Sequence, residues 1–527
     1  MYFERLIKKQ TFMVNILWVD DEIDLLKPYI LFLEAKGYSI IPAIDGNEAM
    51  EALVAKSVDI VFLDENMPGL TGLEVLNMIK NKYPALPVIM ITKSEEEHIM
   101  EQAIGSKISD YLIKPVNPNQ ILLTLKKHLD TKRLVREQST MNYQQEFRQI
   151  GLRLMEGMDS NEWIDIYKKL VYWEIELSES NDVSIFEILK QQKTEANLQF
   201  SKFYERNYLQ WIKTPDATTP LMSHRLLEEK VFPALKEDKP SFLIIIDNFR
   251  FDQWKALQPA IEEYLRVEQE GMYYSIIPTT TQFARNAIFA GMMPYDIKRT
   301  YPNLWLDEDE EGNKNQNEYQ FLQKQLAKHG FDIKTTYHKV LNLNYGKRMI
   351  DNLPNLMQNK LNVIVYNFID MLSHARTDSD LVRELAEDEK AYRGVTQTWF
   401  SHSPLFDVLK FLSAKDVNIF ITTDHGSVRV NRPIKIKATK EASVNLRYKV
   451  GRFLDYNEKE VFAVNKPEDI LLPRLNILSP YIFAKANDFF AYPNNYNHYV
   501  QYYKNTFQHG GISMEEVLIP FIHLTKK

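Results

Sequence analysis

Short runs of β-branched and aliphatic residues alternate with helical patterns five times between Asn15 and Leu129. The runs are Ile16-Val19, Ser39-Pro42, Ile60-Leu63, Val88-Ile91 and Ser109-Ile113. Strands that alternate this regularly with helices predict a doubly wound α/β sheet. Past Pro118 the period changes: apolar residues recur at helical spacing, as in Trp163, Ile166, Tyr167 and Leu170, and no strand pattern returns before about Lys213. That stretch predicts a helical bundle. The turn-rich segment Thr214-Pro-Asp-Ala-Thr-Thr-Pro220 reads as a linker, and a second strand-helix series starts at Ser241. The predicted organisation is a flavodoxin-like α/β domain at 13–130, a helical bundle connector at 131–215 and a second α/β domain at 216–527. No internal repeat or low-complexity tract breaks this pattern.

Length agrees with the division, since 527 residues exceed what one compact core holds. Hydrophobic residues at 45% and charged residues at 26% fit a soluble globular chain, and no apolar run approaches the ~20 residues of a membrane helix. Met1 to Phe12 carries Glu4, Arg5, Lys8 and Lys9 with no apolar stretch behind them, unlike a secretion signal, and Met13 reads as the natural first residue. The chain has no cysteine, which excludes disulfides, thiolate metal sites and thiol nucleophiles together. A cytoplasmic location is expected. The net charge of −7 speaks against a broad grip on nucleic acid, and no basic recognition helix marks a DNA-binding output.

Three chemistry-bearing groups end strands of the first domain. Asp20 and Asp21 follow the first strand, Asp64 ends the third and Lys114 ends the fifth, so the topology brings them to one crevice. Carboxylates gathered in this way repel one another unless a hard divalent cation joins them, and oxygen ligands with room for water and phosphate suit Mg²⁺. Asp64 is then the nucleophile for an in-line phosphoryl group, with Lys114 neutralising charge on the equatorial oxygens. Thr92, at the end of the fourth strand, is expected to follow the new phosphoryl oxygen, and Tyr111 to reorient with it. These positions, with Asp64-Glu-Asn-Met-Pro68, Gly72 and Lys114-Pro115, resemble the response-regulator receiver family. The resemblance implies that the Asn66 backbone carbonyl joins Asp21 and Asp64 as a Mg²⁺ ligand, and that Asp20 acts mainly through a bridging water.

The second α/β series repeats the strategy with other ligands. Phe242-Ile246 delivers Asp247, Val363-Val365 leads to Asp370 and His374, Asn418-Thr423 delivers Asp424-His425-Gly426, and His509-Gly510-Gly511 precedes Val517-Phe521. Three aspartates and three histidines therefore collect at four strand exits, in a chain of eleven histidines and no cysteine. That donor set suits Zn²⁺ or Mn²⁺. Pro278-Thr-Thr-Thr281 follows the predicted strand Tyr274-Ile277 and opens a helical stretch to Ala290, so a threonine hydroxyl would meet an anion at a helix start. Two metals bridged by a phosphate would stabilise the attacking and leaving oxygens together.

This order of residues looks like the alkaline phosphatase superfamily. By that resemblance Asp247, Thr281, Asp424 and His425 hold one metal, Asp370, His374 and His509 hold the other, and Thr281 is the nucleophile because Pro278 through Gly291 aligns with the family's Pro-Thr-x-Thr segment. Relatives of the nucleotide pyrophosphatase type carry an Asn three residues past the nucleophile, where this chain has Ala284. Arg285 and Asn286 are the candidates to bind a substrate oxygen in its place. More narrowly, Asp247-Asn-Phe-Arg250-Phe-Asp252 and His509-Gly-Gly-Ile-Ser-Met-Glu-Glu-Val517 look like the PglZ branch. A receiver, helical connector and PglZ-type domain in one chain resembles the PorX-type response regulators of the type IX secretion system. That resemblance implies a zinc phosphodiesterase acting on linear and cyclic oligonucleotides, a homodimer on phosphorylation, and three partners: a sensor histidine kinase, an extracytoplasmic-function sigma factor and the secretion motor protein. The competing expectation is a non-catalytic regulator whose metal is a folding staple or whose domain senses a nucleotide while docking the sigma factor and the motor.

Three further features are read as structural. Arg250 and Asp252 pair behind the metal. Asp307-Glu-Asp-Glu-Glu311-Gly312, with Glu318 at the twelfth place, nearly matches a calcium loop but reads as a solvated acidic loop, because Pro302 breaks the entering helix. His498 among Tyr496, Tyr499, Tyr502 and Tyr503 offers a base-stacking wall, although packing is the commoner fate of such residues.

Overall fold

The computed structural model describes residues 14–84, 86–93, 108–178, 183–439, 442–475 and 479–527. The expected start at Met13 lies outside them. Two compact units divide at Asn142 and Tyr143.

In the first unit, β1 (Val14–Val19), β2 (Tyr38–Ala43), β3 (Ile60–Asp64), β4 (Val88–Thr92) and β5 (Asp110–Ile113) form a sheet of order β2-β1-β3-β4-β5. All four pairings are parallel. Both faces are covered: Ile16, Trp18, Phe62 and Ile89 pack on one side, Leu17, Val19, Val61 and Leu63 on the other. Unbroken apolar runs are what a parallel sheet buried on both faces requires. The helices α1 (Lys27–Glu34), α2 (Gly46–Ala55), α3 (Gly72–Lys82) and α4 (Pro118–Leu125) accompany them. Helix α3 begins in a Thr71/Glu74 capping box, and its first residue has to be glycine: a Cβ on Gly72 would stand 2.3 Å from the Asp64 carbonyl oxygen.

The expected central helices are α5 (Thr131–Met155), α6 (Ser160–Ser178) and α7 (Val183–Lys213). Trp163, Ile166, Tyr167 and Leu170 are buried along α6, as their spacing predicts. Helices α6 and α7 share one continuous core with the C-terminal strands. Aromatic packing shows this: Trp211 of α7 stands edge-on to Tyr274 at 5.3 Å, and Tyr204 stacks on Tyr208 at 4.9 Å.

The large sheet of the second unit contains β6 (Ser241–Ile246), β7 (Leu265–Tyr274), β8 (Thr335–Val340), β9 (Leu361–Tyr366), β10 (Asn418–Thr422) and β11 (Leu518–Lys526), in the order β7-β11-β10-β6-β9-β8. Strands β10, β6, β9 and β8 run parallel, while β11 is antiparallel to both neighbours. One expected strand is shorter than its pattern. Tyr274-Ile277 reads as strand, but β7 closes at Tyr274, because after the Ser275 amide, which donates to Val517 O, the next amides go elsewhere: Ile276 N donates to the Ser223 hydroxyl and Ile277 N to the Tyr208 hydroxyl. Likewise β11 starts at Leu518, after a helical turn at Met514–Val517 capped by Ser513.

Candidate metal centres

In the first unit, Asp20, Asp21 and Asp64 converge at the carboxyl ends of β1 and β3, each trio oxygen within 4.8 Å of the others. The Lys114 ammonium lies 3.0 Å from both Asp20 and Asp64. Burial pushes the Asp64 carboxyl above its usual range, Lys114 opposes this and Asp20 adds to it. Burial acts to lower the Lys114 ammonium, but its contacts with Asp64 and Asp20 together raise it. Thr92 is buried and its hydroxyl donates to Glu65, which follows Asp64 directly. Tyr111 is turned outward, 40% exposed.

In the second unit, two trios form. Asp247, Asp424 and His425 make one, Asp370, His374 and His509 the other, with each trio's ligand atoms within 4.8 Å of one another. They adjoin, because the His425 and His509 rings stack at 4.2 Å. Parallel strands β6, β9 and β10 explain the convergence: in register, Ile245, Val365 and Thr422 align, and each chain then turns out of the sheet at the same edge. Thr281 opens a helical turn, Thr281–Arg285, and its Oγ lies 3.3 Å from Asp247 Oδ1 and 3.2 Å from His425 Nε2. Asn315 Nδ2 fixes the Thr281 carbonyl at 2.9 Å.

The electrostatics fit a divalent cation. Asp424 is fully buried, and its Oδ2 has no hydrogen-bond partner, standing 3.7 Å from Arg285. Burial and the charge of Asp247 hold the Asp424 carboxyl well above its usual range. His425 Nδ1 faces the Gly426 carbonyl at 3.2 Å and His509 Nδ1 faces that of Thr279 at 3.1 Å, so each ring turns Nε2 toward its trio. Burial lowers His425 to about 4 and His509 to about 3, which keeps both imidazoles neutral. Neutral imidazoles anchored through the other nitrogen, beside uncompensated carboxylate, are metal donors. The second trio is more open, with the His374 side chain 66% exposed.

Arg285 and Asn286 have partners other than a substrate in this structure. The Arg285 guanidinium is fully buried, donating from Nη1 to Asp247 at 2.7 Å and from Nε to Glu318 at 2.6 Å. Asn286 Nδ2 donates to the Gln282 and Lys314 carbonyls, which turns it into the acidic loop. Glu318 is therefore no calcium ligand: it is buried at the start of the helix Glu318–Lys328, held by Arg285 and the Tyr337 hydroxyl. Arg250 and Asp252 pair as expected, at 2.6 Å and fully buried, and Arg393 and Glu174 extend the pair. Tyr496 and Tyr503 pack beside Val428 and Phe489, and Tyr499 is exposed.

Sequence reasoning missed Asn248. It adopts a left-handed backbone (φ 62°), and its amide reaches across to Ser373 at 3.1 Å and Asp370 at 3.4 Å. An Asn, a residue type that tolerates a left-handed turn, directly after the aspartate at a strand exit was the available signal.

Three family models match successive segments of the chain. Residues 16–126 match the response regulator receiver domain, 133–212 the PorX response regulator linker domain, and 226–524 the BREX system PglZ alkaline phosphatase-like domain. The transcriptional regulatory protein ResD of Bacillus subtilis is 36% identical over 117 residues, covering 22% of this chain and 48% of ResD. The nitrogen assimilation regulatory protein NtrX of Azorhizobium caulinodans is 35% identical over 125 residues, covering 23% of this chain and 28% of NtrX. The chain thus spans half or less of these curated relatives. Among solved structures, the chemotaxis protein CheY4 of Vibrio cholerae is 29% identical, covering 22% of this chain and 99% of that one with a TM-score of 0.22. The matched segments, in their order, identify the chain as a member of the PglZ alkaline phosphatase-like family in the PorX-type combination of receiver, linker and PglZ-like domain.

Proposed function

We propose that this chain is a response regulator phosphorylated on Asp64 whose C-terminal domain is a two-metal phosphodiesterase acting on linear and cyclic oligonucleotides in the control of type IX secretion. The observation that carries the reading is the Thr281 hydroxyl, 3.3 Å from Asp247 and 3.2 Å from His425, inside one donor trio and beside a second. A folding staple or a nucleotide sensor needs the ligands but has no need of a hydroxyl aimed between them.

Two zinc ions, or manganese, held by these trios would lower the pKa of a bound hydroxyl and neutralise a bridging phosphate. The chain supplies the rest. Thr281 Oγ loses its proton and attacks phosphorus as one P–O ester bond breaks and its oxygen leaves with a proton, and water then cleaves the Thr281–phosphoryl bond to restore the hydroxyl; Asp247 and His425 aim Oγ, and Asn315 holds its backbone. Arg285 locks Asp247 from behind, so that the carboxylate keeps one orientation during turnover. The exposed side of His374 admits a polymer to the second trio. In the receiver, Asp20, Asp21, Asp64 and the Asn66 carbonyl would hold Mg²⁺, Lys114 would stabilise the transferred phosphoryl group, and Thr92 would exchange its bond to Glu65 for one to the phosphate. Phosphorylation by a sensor histidine kinase favours the homodimer, which engages an extracytoplasmic-function sigma factor and the secretion motor protein. Among the described residues no helix is long and apolar enough to cross a membrane.

The test combines metal quantitation with hydrolysis of bis-p-nitrophenyl phosphate and short oligonucleotides by wild type and Thr281→Val. The variant is expected to keep its metal and lose about a thousandfold or more in rate. Equal rates would sink the enzymatic reading.

A further inference from the structure

We propose that helix α7 is a wall of the metal centre, with Asn197 and Ser201 as positioning residues that hold the loop carrying His509. The inference rests on the two-metal reading above and adds to it that the connector helix builds the second trio.

Lys193, Asn197, Ser201, Tyr204 and Tyr208 recur every three or four residues along α7 and so share one face. That face is buried: Asn197 and Ser201 are each 1% exposed, and Tyr204 and Tyr208 are fully buried. Burying amides and hydroxyls costs free energy unless they are bonded. These are bonded, and to one group of loops. Asn197 Oδ1 accepts the Met514 amide at 2.7 Å while its Nδ2 donates to Glu515 at 2.9 Å. Lys193 Nζ reaches the same Glu515 at 3.1 Å. The Ser201 hydroxyl lies 2.9 Å from the Ile512 carbonyl and 2.8 Å from that of Asn197, and accepts the Ala486 amide at 3.0 Å. Three residues of one helix thus grip a segment that begins three residues after His509.

Both trios feel that grip. The Gly510 amide donates to the Thr279 hydroxyl at 2.9 Å, which ties the His509 loop to the turn leading into Thr281. Gly426, next to His425, has no room for a side chain because a Cβ would stand 2.1 Å from the Glu515 carbonyl oxygen. Further along the same face, Tyr204 donates to the Ser275 carbonyl at 3.0 Å and Tyr208 accepts the Ile277 amide at 3.3 Å, so the Thr281 approach is held by the same helix. Apolar contact alone would tether a connector. Directed bonds to the backbone of one loop instead specify its position, and a ligand constellation has to be held to within about half an ångström.

The test uses the full chain with Ser201→Ala and Asn197→Ala, Ser201→Thr as the variant that keeps the hydroxyl, and Glu195→Ala on the exposed side of α7 as the control. Amide hydrogen exchange is measured without metal, and zinc is titrated against a chromophoric chelator. Exchange is expected to quicken about tenfold over 509–517, and in Ser201→Ala also at the Ala486 amide that the hydroxyl accepts, with the rest of the second unit unchanged, and one zinc equivalent to weaken about 10–100-fold. Ser201→Thr and Glu195→Ala are expected to behave as wild type. Unchanged exchange and zinc binding in both alanine variants would overturn the proposal, as would acceleration spread evenly over the unit. A wild type that hydrolyses nothing, with the exchange effect still confined to 509–517 and the Ala486 amide, would remove the phosphodiesterase reading and leave the positioning role supported.

Discussion

In the receiver, Asp20 and Asp64 share a single cation, Lys114, 3.0 Å from each, at a crevice where Asp21 is exposed. In the second unit, Asp247 and Asp424 are sealed from water, Arg285 supports them from behind, and neutral imidazoles face them. Both corners lie at the carboxyl ends of parallel strands, yet their charge is managed differently. A carboxylate nucleophile such as Asp64 needs a cation only to offset its burial and the charge of Asp20, which Lys114 does. A hydroxyl such as Thr281 needs its proton withdrawn, and that demands tightly held metal among buried donors. The carboxylates are buried alike, and it is the cation that differs in depth: the Lys114 side chain is 18% exposed and that of Arg285 is 0%.

The contrast can be broken most decisively at Asp64. Asp64→Ala should abolish phosphoryl uptake from acetyl phosphate and the accompanying dimer, seen by mass in solution scattering, while leaving hydrolysis of bis-p-nitrophenyl phosphate in place; unchanged assembly would argue against receiver control. Next in size is the cation of each corner. Arg285→Met leaves Asp247 and Glu318 buried without their partner and should cost about 3–5 kcal/mol in denaturant unfolding, whereas Lys114→Met, at a side chain 18% exposed where that of Arg285 is 0%, should cost less. Equal costs would mean that depth does not separate the sites. Asp424→Asn should weaken zinc about 100-fold and yet raise the melting temperature of the chelator-treated protein, because a carboxyl whose charge is disfavoured by burial and by Asp247 becomes a neutral amide.

The smallest effect belongs to the acidic loop beside the deeper site. Burial raises Glu308 to about 7, against the bond from Tyr448 and the charges of Lys449 and Lys314, with Asp309 adding to the rise. Its folded value stands above its unfolded one, so the stability it contributes is present at low pH and is lost as pH climbs from about 4.5 through about 7. Glu308→Gln keeps an acceptor for Tyr448 and should flatten that slope, gaining about 1–2 °C at pH 8 relative to pH 5.5 in thermal melts. A slope unchanged from wild type would show that Glu308 is ionised throughout.

The strand exits and the chemistry at them were legible because they are local. A buried parallel strand writes an unbroken apolar run, and the polar residues at or just past its end are displayed at the sheet edge, which is why Asp64, Asp247 and Asp424 stand at strand exits and Asp370 in the first turn of the helix after β9. The supporting residues were not legible. Glu318 reads as the last member of an acidic run and is in fact the carboxylate that shares Arg285 with Asp247. Arg285 itself read as a substrate ligand because its distance from Thr281 was visible and its partners were not.

What the chain determined alone is therefore the order of elements, the donor types and the two candidate nucleophiles, since periodicity and residue chemistry act over a few neighbours. What only the tertiary structure decided is which polar groups meet at long range: Ser201 with Ile512, 311 residues apart, and Asn197 with Glu515, 318 apart. An amphipathic helix shows in its sequence that it has a buried face. The loops that face holds are chosen by the packing of the whole sheet, and no local spacing records them.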